Sequence, residues 1–431
     1  MWAERLLRRR LGRLLTKQRC VALDNKVPSL ERRLQDLDAL GLYLHIPFCR
    51  RICPYCPYNK ELYDPEVAAR YTNAVVREID IYAGLVGRKP VTSFYIGGGT
   101  PTTMLYTGLD RILEHVFETF NMQCDIHMES HPNDLTFDNL NTIVSMGVSH
   151  LSVGVEALQD HHLETLHRPY TVDQVKAAVT RAVGKSFKCV NVDAIFALPD
   201  QTLGEVKALG KGLVDLGVDQ VAAYPLFEFP YIQWQEIARR NHYKRFSVFE
   251  KRRMLRLLER VFHDSGFERT SVWAFTRRGV PKYCSVTVPL YLGLGASGSS
   301  YLEDVFYVNT FNVRAYIKAL ESGRLPVALS IELSEDMQMA GWLYWRIYET
   351  RFKKSDFHKR FGKTFDEVYG RYMKLLAFAG LVTDHGDELV CSDNGAYWLH
   401  LLEDLLSIDY ISKLWGRSAQ DPWPKRVVLD E

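Results

Sequence analysis

The sequence predicts an α/β protein: a partial (β/α)6 barrel carrying a smaller C-terminal α+β module of winged-helix-like form. Three observations lead there. Before residue 230, short apolar runs alternate six times with helical patterns, as βαβ units around a parallel sheet do. From about residue 333 the pattern changes to three helical stretches and a hairpin. A loop crowded with cysteines follows the first strand directly, and parallel sheets collect their chemistry at the carboxyl ends of strands.

The chain opens on a basic stretch in which Arg5, Arg8, Arg9, Arg10, Arg13, Lys17 and Arg19 stand against one acid, Glu4. Trp2, Leu6, Leu7, Leu11, Leu14 and Leu15 recur there at roughly helical spacing, so a basic amphipathic helix is expected. It can lay its leucines on the body of the protein, meet an anionic substrate or partner, or dock at a membrane or act in targeting. Strands are expected at 42–46, 93–96, 126–129, 151–155, 190–196 and 218–224. Helices are expected between them at 65–83, 109–119, 137–146, 172–184 and 203–216. A long helix over 246–264 leads into a less regular section with a glycine-rich strand-turn at 291–300. Helices at 337–350, 354–361 and 364–379 precede a hairpin over 381–390, turning at His385-Gly386-Asp387. Four segments result: a basic N-terminal segment (1–38), the barrel (39–230), an extension closing it (231–330) and the C-terminal module (331–431).

Composition sets limits. At 431 residues the chain can build one large core and a smaller one. A net charge of +2 argues against a nucleic-acid field, and the winged-helix-like module shows no basic recognition stripe, so it reads as a lid or docking element. No apolar run reaches the roughly 18 residues of a membrane span. Five of the eight cysteines are scattered, so a reducing cytoplasm suits this chain better than a disulfide framework. Cys124, Cys189 and Cys391 read as small apolar strand residues, and Cys284 as a thiol that could face a substrate.

The densest signal is His45-Ile-Pro-Phe-Cys-Arg-Arg-Ile-Cys-Pro-Tyr-Cys-Pro-Tyr-Asn59, with Cys49, Cys53 and Cys56 spaced C-x3-C-x2-C. Ordinary iron–sulfur clusters take four thiolates, so three would leave one iron open. A structural zinc knuckle, with His45 as fourth ligand, is the alternative. Tyr95-Ile-Gly-Gly-Gly-Thr-Pro101 ends the second strand, where consecutive glycines let backbone approach a ligand.

These two motifs in this order resemble the radical S-adenosylmethionine (SAM) superfamily. The frame Tyr43-Leu-His-Ile-Pro-Phe-Cys49 is similar to the oxygen-independent coproporphyrinogen III oxidase family, over about 43–302. The resemblance implies a [4Fe-4S] cluster on Cys49, Cys53 and Cys56, with its open iron taking SAM. It implies a 5′-deoxyadenosyl radical that abstracts hydrogen from a substrate, and a reduced flavodoxin- or ferredoxin-type electron donor. Gly98, Gly99 and Thr100 match SAM contacts, Glu129 matches the carboxylate on the SAM ammonium, and Tyr55 matches the adenine side. Tyr43 and the backbone around Gly298 complete that set. Arg168 and Asp193 match residues that bind a second SAM-sized ligand, with a structural ion pair as the alternative. Asp193 lies inside an apolar strand, so a polar partner is implied.

Three departures bear on the substrate. Glu156 stands where the family has glutamine, which changes the charge beside the second ligand. Pro57-Tyr58 replaces Gly-Cys after Cys56. The stretch 281–292 lacks the His-Asn and Tyr-Trp signature of the haem-chaperone branch. The resemblance therefore leaves three outcomes: oxidative decarboxylation of a tetrapyrrole in porphyrin biosynthesis, a radical C-methylation with two SAM molecules, or a haem-binding carrier. His127 and His131 flank Glu129 and read as surface or packing residues.

Overall fold

Six apolar runs form six strands: β1 (Leu40–Ile46), β2 (Pro90–Gly98), β3 (Ile126–Ser130), β4 (Val148–Glu156), β5 (Cys189–Phe196) and β6 (Gln220–Pro225). They pair in parallel and in sequence order, the winding of a barrel rather than of a doubly wound sheet. The computed structural model describes residues 8, 10, 12, 13, 15–18, 20–283 and 289–429. Both faces of the strands are covered, so they read as near-continuous apolar runs. Leu44, Ile46, Ile96, Met128, Val153 and Val192 are fully buried between sheet and helices, each worth about 1.5–3 kcal/mol of burial.

Helix starts are set by local chemistry. Asp64 accepts hydrogen bonds from the amides of Glu66 and Val67, and Pro65 opens helix Pro65–Val86. Thr171 with Gln174, Thr202 with Glu205, and Ser247 with Glu250 form capping boxes at three later helices, Val172–Val183, Leu203–Asp215 and Val248–Asp264.

The sheet does not close on itself. Beyond β6 it continues through Ala274–Arg277 and Phe267–Arg269, both antiparallel. Beyond β1 comes Tyr291–Leu294, parallel to β1, then Ser299–Leu302, Val305–Asn309 and Val327–Glu332. Ala22–Asp24 and Arg426–Val428 end that side, so the two ends of the described chain pair with each other.

The C-terminal module has its own three-stranded sheet, Arg351–Lys353, Glu388–Cys391 and Val382–Asp384 in that order. The hairpin turns where expected, with Gly386 at φ 86°. Leu343, Phe352, Phe357, Phe365 and Leu389 form a separate small core. A 28-residue helix, Asp393–Gln420, then runs back to the main sheet. Of the basic N-terminal segment, Arg8, Arg10, Gly12, Arg13, Leu15 and Thr16 are helical. Arg8 Nη1 donates to Asp409 Oδ1 at 2.8 Å, and Gly12 faces Tyr410. This stretch therefore lies on the long helix. Trp2, Leu6, Leu7, Leu11, Leu14 and Cys284 lie outside the described residues. Among those described, no helix is long and apolar enough to cross a membrane.

Candidate active site

The chain leaves β1 at Pro47 and turns into a short ribbon in which Phe48–Cys49 pairs with Glu61–Leu62. Phe48 is fully buried, edge-on to Tyr63 and Tyr71, so the ribbon is anchored in the core. The loop it closes carries the three cysteines. Cys49 is buried, and Cys53 and Cys56 are half-buried. The Thr100 hydroxyl donates to Cys49 Sγ at 3.4 Å, and Arg168 Nη1 donates to Cys53 Sγ at 3.3 Å. Burial pushes the Cys49 thiol up to about 12 and the Cys56 thiol upward too. Ion binding would therefore displace protons from both.

The zinc-knuckle alternative needs His45 as its fourth ligand, and His45 is occupied: Nδ1 meets the Tyr43 hydroxyl at 2.8 Å and Nε2 meets the Asn59 carbonyl at 2.9 Å. A carbonyl only accepts, so Nε2 carries the proton and Nδ1 accepts from Tyr43. Burial lowers this imidazole to about 4, so it stays neutral. The donor set is three thiols with no fourth side chain in place among the described residues, which fits a cluster with one open iron.

The glycines of β2 run against this loop. A side-chain carbon on Gly99 would sit 2.8 Å from the Phe48 carbonyl oxygen. Gly98 has φ 115° and the His45 ring against its α-carbon. Next to them Glu129, at the end of β3, accepts from the Tyr95 hydroxyl at 2.5 Å and from the Gly98 amide at 3.0 Å. Burial raises its carboxyl, and those two donors oppose the rise. Each oxygen keeps a free lone pair for a further donor.

A second group stands beside the first. Strand β4 bulges after Gly154, and Glu156 is held at φ 66°. Arg168 donates to the Gly154 carbonyl at 2.8 Å and to the Tyr170 hydroxyl at 2.5 Å, and its guanidinium lies 4.9 Å over the Tyr170 ring. It reaches Glu156 Oε1 at 3.7 Å. Any side chain on Gly154 would press on both groups. Glu156 Oε2 is buried without a hydrogen-bond partner. Asp193 takes hydrogen bonds from Ser152 Oγ at 2.8 Å and Asn191 Nδ2 at 3.2 Å. Its polar partners are thus neutral, and the ion pair of Arg168 is with Glu156. Burial and the charge of Glu156 push the Asp193 carboxyl up to about 7.

Tyr55 is half-buried against the core, with its phenol in the field of Arg168, Glu156 and Cys53. Tyr43 stacks on Tyr95 at 6.1 Å. Gly298 lies in the turn after Tyr291–Leu294, where a side chain would meet the Gly293 carbonyl carbon at 2.9 Å; its close packing is with its own turn. His127 stacks on His150 at 4.1 Å, a packing role. Sequence reasoning gave no role to Tyr95, Tyr170, Ser152 or Asn191, although Tyr95 opens the glycine motif it singled out. It also missed what covers the loop. The Trp234 amide donates to the Pro54 carbonyl at 3.0 Å and the Tyr231 hydroxyl to the Pro57 carbonyl at 3.1 Å. Trp415 of the long helix lies 5.8 Å from Tyr58.

Residues 43–211 match the family described as the Radical SAM superfamily. The heme chaperone HemW of Bacillus subtilis is 24% identical over 347 residues, 79% of this chain and 92% of its own length. The oxygen-independent coproporphyrinogen III oxidase of Cereibacter sphaeroides is 24% identical over 371 residues, 80% of each chain. Among solved structures, the coproporphyrinogen III oxidase HemN of Escherichia coli, described as a radical SAM enzyme, superposes with a TM-score of 0.76 at 21% identity. That match covers 90% of this chain and 94% of HemN, and supports the fold. With the three-thiol loop and the glycine strand-end, residues 43–211 match the Radical SAM superfamily, and the chain is similar over most of its length to oxygen-independent coproporphyrinogen III oxidases and heme chaperones.

Proposed function

We propose that this protein is a radical SAM enzyme that holds a [4Fe-4S] cluster on Cys49, Cys53 and Cys56 with SAM beside it. It uses them to abstract hydrogen from a small organic substrate, in an oxidative decarboxylation of a tetrapyrrole. When bound, the cluster supplies the electron that breaks the C–S bond of SAM. The observation carrying the reading is Glu129, held by Tyr95 and the Gly98 amide beside the cysteine loop, with a lone pair free on each oxygen. In this reading Glu129 takes the SAM ammonium, Gly98, Gly99 and Thr100 line the approach, and Tyr55 covers the adenine. Thr100 and Arg168 donate to cysteine sulfurs, stabilising thiolate charge as outer partners of metal ligands do. Trp234, Tyr231 and Trp415 cover the loop and limit water. The electron comes from a reduced flavodoxin- or ferredoxin-type donor.

Two other readings have support. The relatives named heme chaperones favour a haem-binding carrier. The group of Glu156, Arg168 and Asp193 favours a second SAM and thus C-methylation. Anaerobic reconstitution tests the common core: an iron–sulfur absorbance band and 5′-deoxyadenosine are expected, and absence of the band overturns all the enzymatic readings. Glu129→Gln is expected to keep the band and weaken SAM binding roughly tenfold to a hundredfold, the scale of a charged hydrogen bond. Carbon dioxide released from coproporphyrinogen marks the decarboxylase, S-adenosylhomocysteine the methyltransferase, and haem retention without turnover the carrier.

A further inference from the structure

Helix Asp160–Thr165 follows β4 and helix Leu203–Asp215 follows β5, so their first turns meet at the rim of the sheet. Across that junction three side chains converge. His161 Nε2 lies 3.1 Å from Glu205 Oε1, and His162 Nε2 lies 3.7 Å from the same oxygen. The three donor atoms all fall within 4.8 Å of one another. The two imidazoles are 4.0 Å apart between ring centroids.

His162 is the informative member. It is 1% exposed, yet neither of its ring nitrogens has a hydrogen-bond partner. One of them must carry a proton, and a buried imidazole left wholly unpaired is a costly arrangement that native structures avoid. The carboxylates of Glu205 and Asp200 also direct their charge at it. His161 and Glu205 keep contact with solvent, so an ion has a way in. The other oxygen of Glu205 accepts from the Thr202 amide and hydroxyl, both at 2.8 Å. That fixes Oε1 towards the histidines, as outer hydrogen bonds fix metal-binding carboxylates.

We propose that His161, His162 and Glu205 form a site for a divalent transition-metal ion of the zinc class, separate from the cysteine loop. Bonds of about 2.0–2.1 Å in a tetrahedron place donor atoms about 3.3 Å apart, and the observed 3.1 and 3.7 Å bracket that value. Two imidazoles and a carboxylate suit zinc and its neighbours, whereas calcium and magnesium take all-oxygen sets. Water completes the fourth position. A bound ion clamps the two helices and with them the turn carrying Arg168, whose amide bonds to the Leu163 carbonyl at 2.8 Å. The inference is independent of the cluster chemistry.

The test is equilibrium dialysis of the cluster-loaded, full-length protein against zinc, with metal analysis and thermal unfolding. One zinc per chain beyond the cluster iron is expected, with a rise in unfolding temperature that follows zinc concentration. His162→Ala and Glu205→Gln are expected to weaken zinc binding at least tenfold while iron content stays unchanged. His161→Ala, at an exposed position that leaves the core intact, is expected to do the same. A chain with Cys49, Cys53 and Cys56 all replaced by alanine is expected to keep the zinc. Unchanged affinity in His161→Ala, or zinc lost with the cysteines, overturns the proposal.

Discussion

Asp193 sits in β5 with a serine and an asparagine for partners and Glu156 nearby. Its carboxyl is raised from the ordinary range to about 7. Between about pH 4 and pH 7 the folded chain therefore keeps a proton that the unfolded chain has released. Stability from this group is greatest in acid and falls as pH rises through that window. In Asp193→Asn that dependence is gone. The unfolding free energy of the variant relative to wild type is expected to climb with pH from 4 to 7, by at most about 1.4 kcal/mol per unit, in urea titrations. A flat difference would mean that Asp193 is not protonated in the fold. At this scale the cysteines, glycines and Glu129 were legible because their meaning lies in local spacing. Ser152 was not, because sheet register brings it from the neighbouring strand to Asp193: Gly154 stands opposite Asp193, and Ser152 opposite Asn191, which shares the face of Asp193 two residues along β5.

The six parallel strands were readable because burial on both faces turns each into an apolar run bounded by turns. Helix Asp393–Gln420 was not foreseen, and its surroundings explain why. Leu399 joins the small module, Gly12 and Arg8 lie over its middle at Tyr410 and Asp409, and Leu414 joins a cluster with Val21 and Val427. A helix that changes partner along its length has no single apolar stripe to betray it. Strands Ala22–Asp24 and Arg426–Val428 escaped because three residues carry no period. The helix is seated by Gly395, whose added side chain would lie 1.8 Å from the Leu381 carbonyl oxygen. That atom is backbone and cannot swing aside. Gly395→Ala is expected to destabilise the protein by about 1–3 kcal/mol and to speed proteolysis within 381–395. Wild-type stability in the variant would show that the helix start is free to move.

Across the molecule, one buried carboxylate joins the barrel edge to the C-terminal half. Glu259 on helix Val248–Asp264 accepts from Arg252 at 2.9 Å on both oxygens and from Arg269 at 2.5 Å. Arg269, on strand Phe267–Arg269, also holds Asp393 at 2.8 Å, and Arg252 reaches Asn394 at 3.3 Å, at the start of the long helix. All three side chains of the network are at most 7% exposed. Two guanidiniums around one acid are tolerable only while that acid is charged and present. Glu259→Gln is therefore expected to cost about 3–5 kcal/mol, since it leaves buried Arg252 with no carboxylate and Arg269 with Asp393 alone. Salt should leave that loss nearly unchanged, whereas the exposed pairs of Glu236 with Arg239 and Arg240 should weaken with salt. Replacing Arg252, Glu259 and Arg269 together by apolar residues of similar size should restore most of the stability, because no charge is left stranded. If Glu259→Gln unfolds at the wild-type denaturant midpoint, the network does not join the two halves, and the apolar contacts of the long helix alone hold the C-terminal module in place.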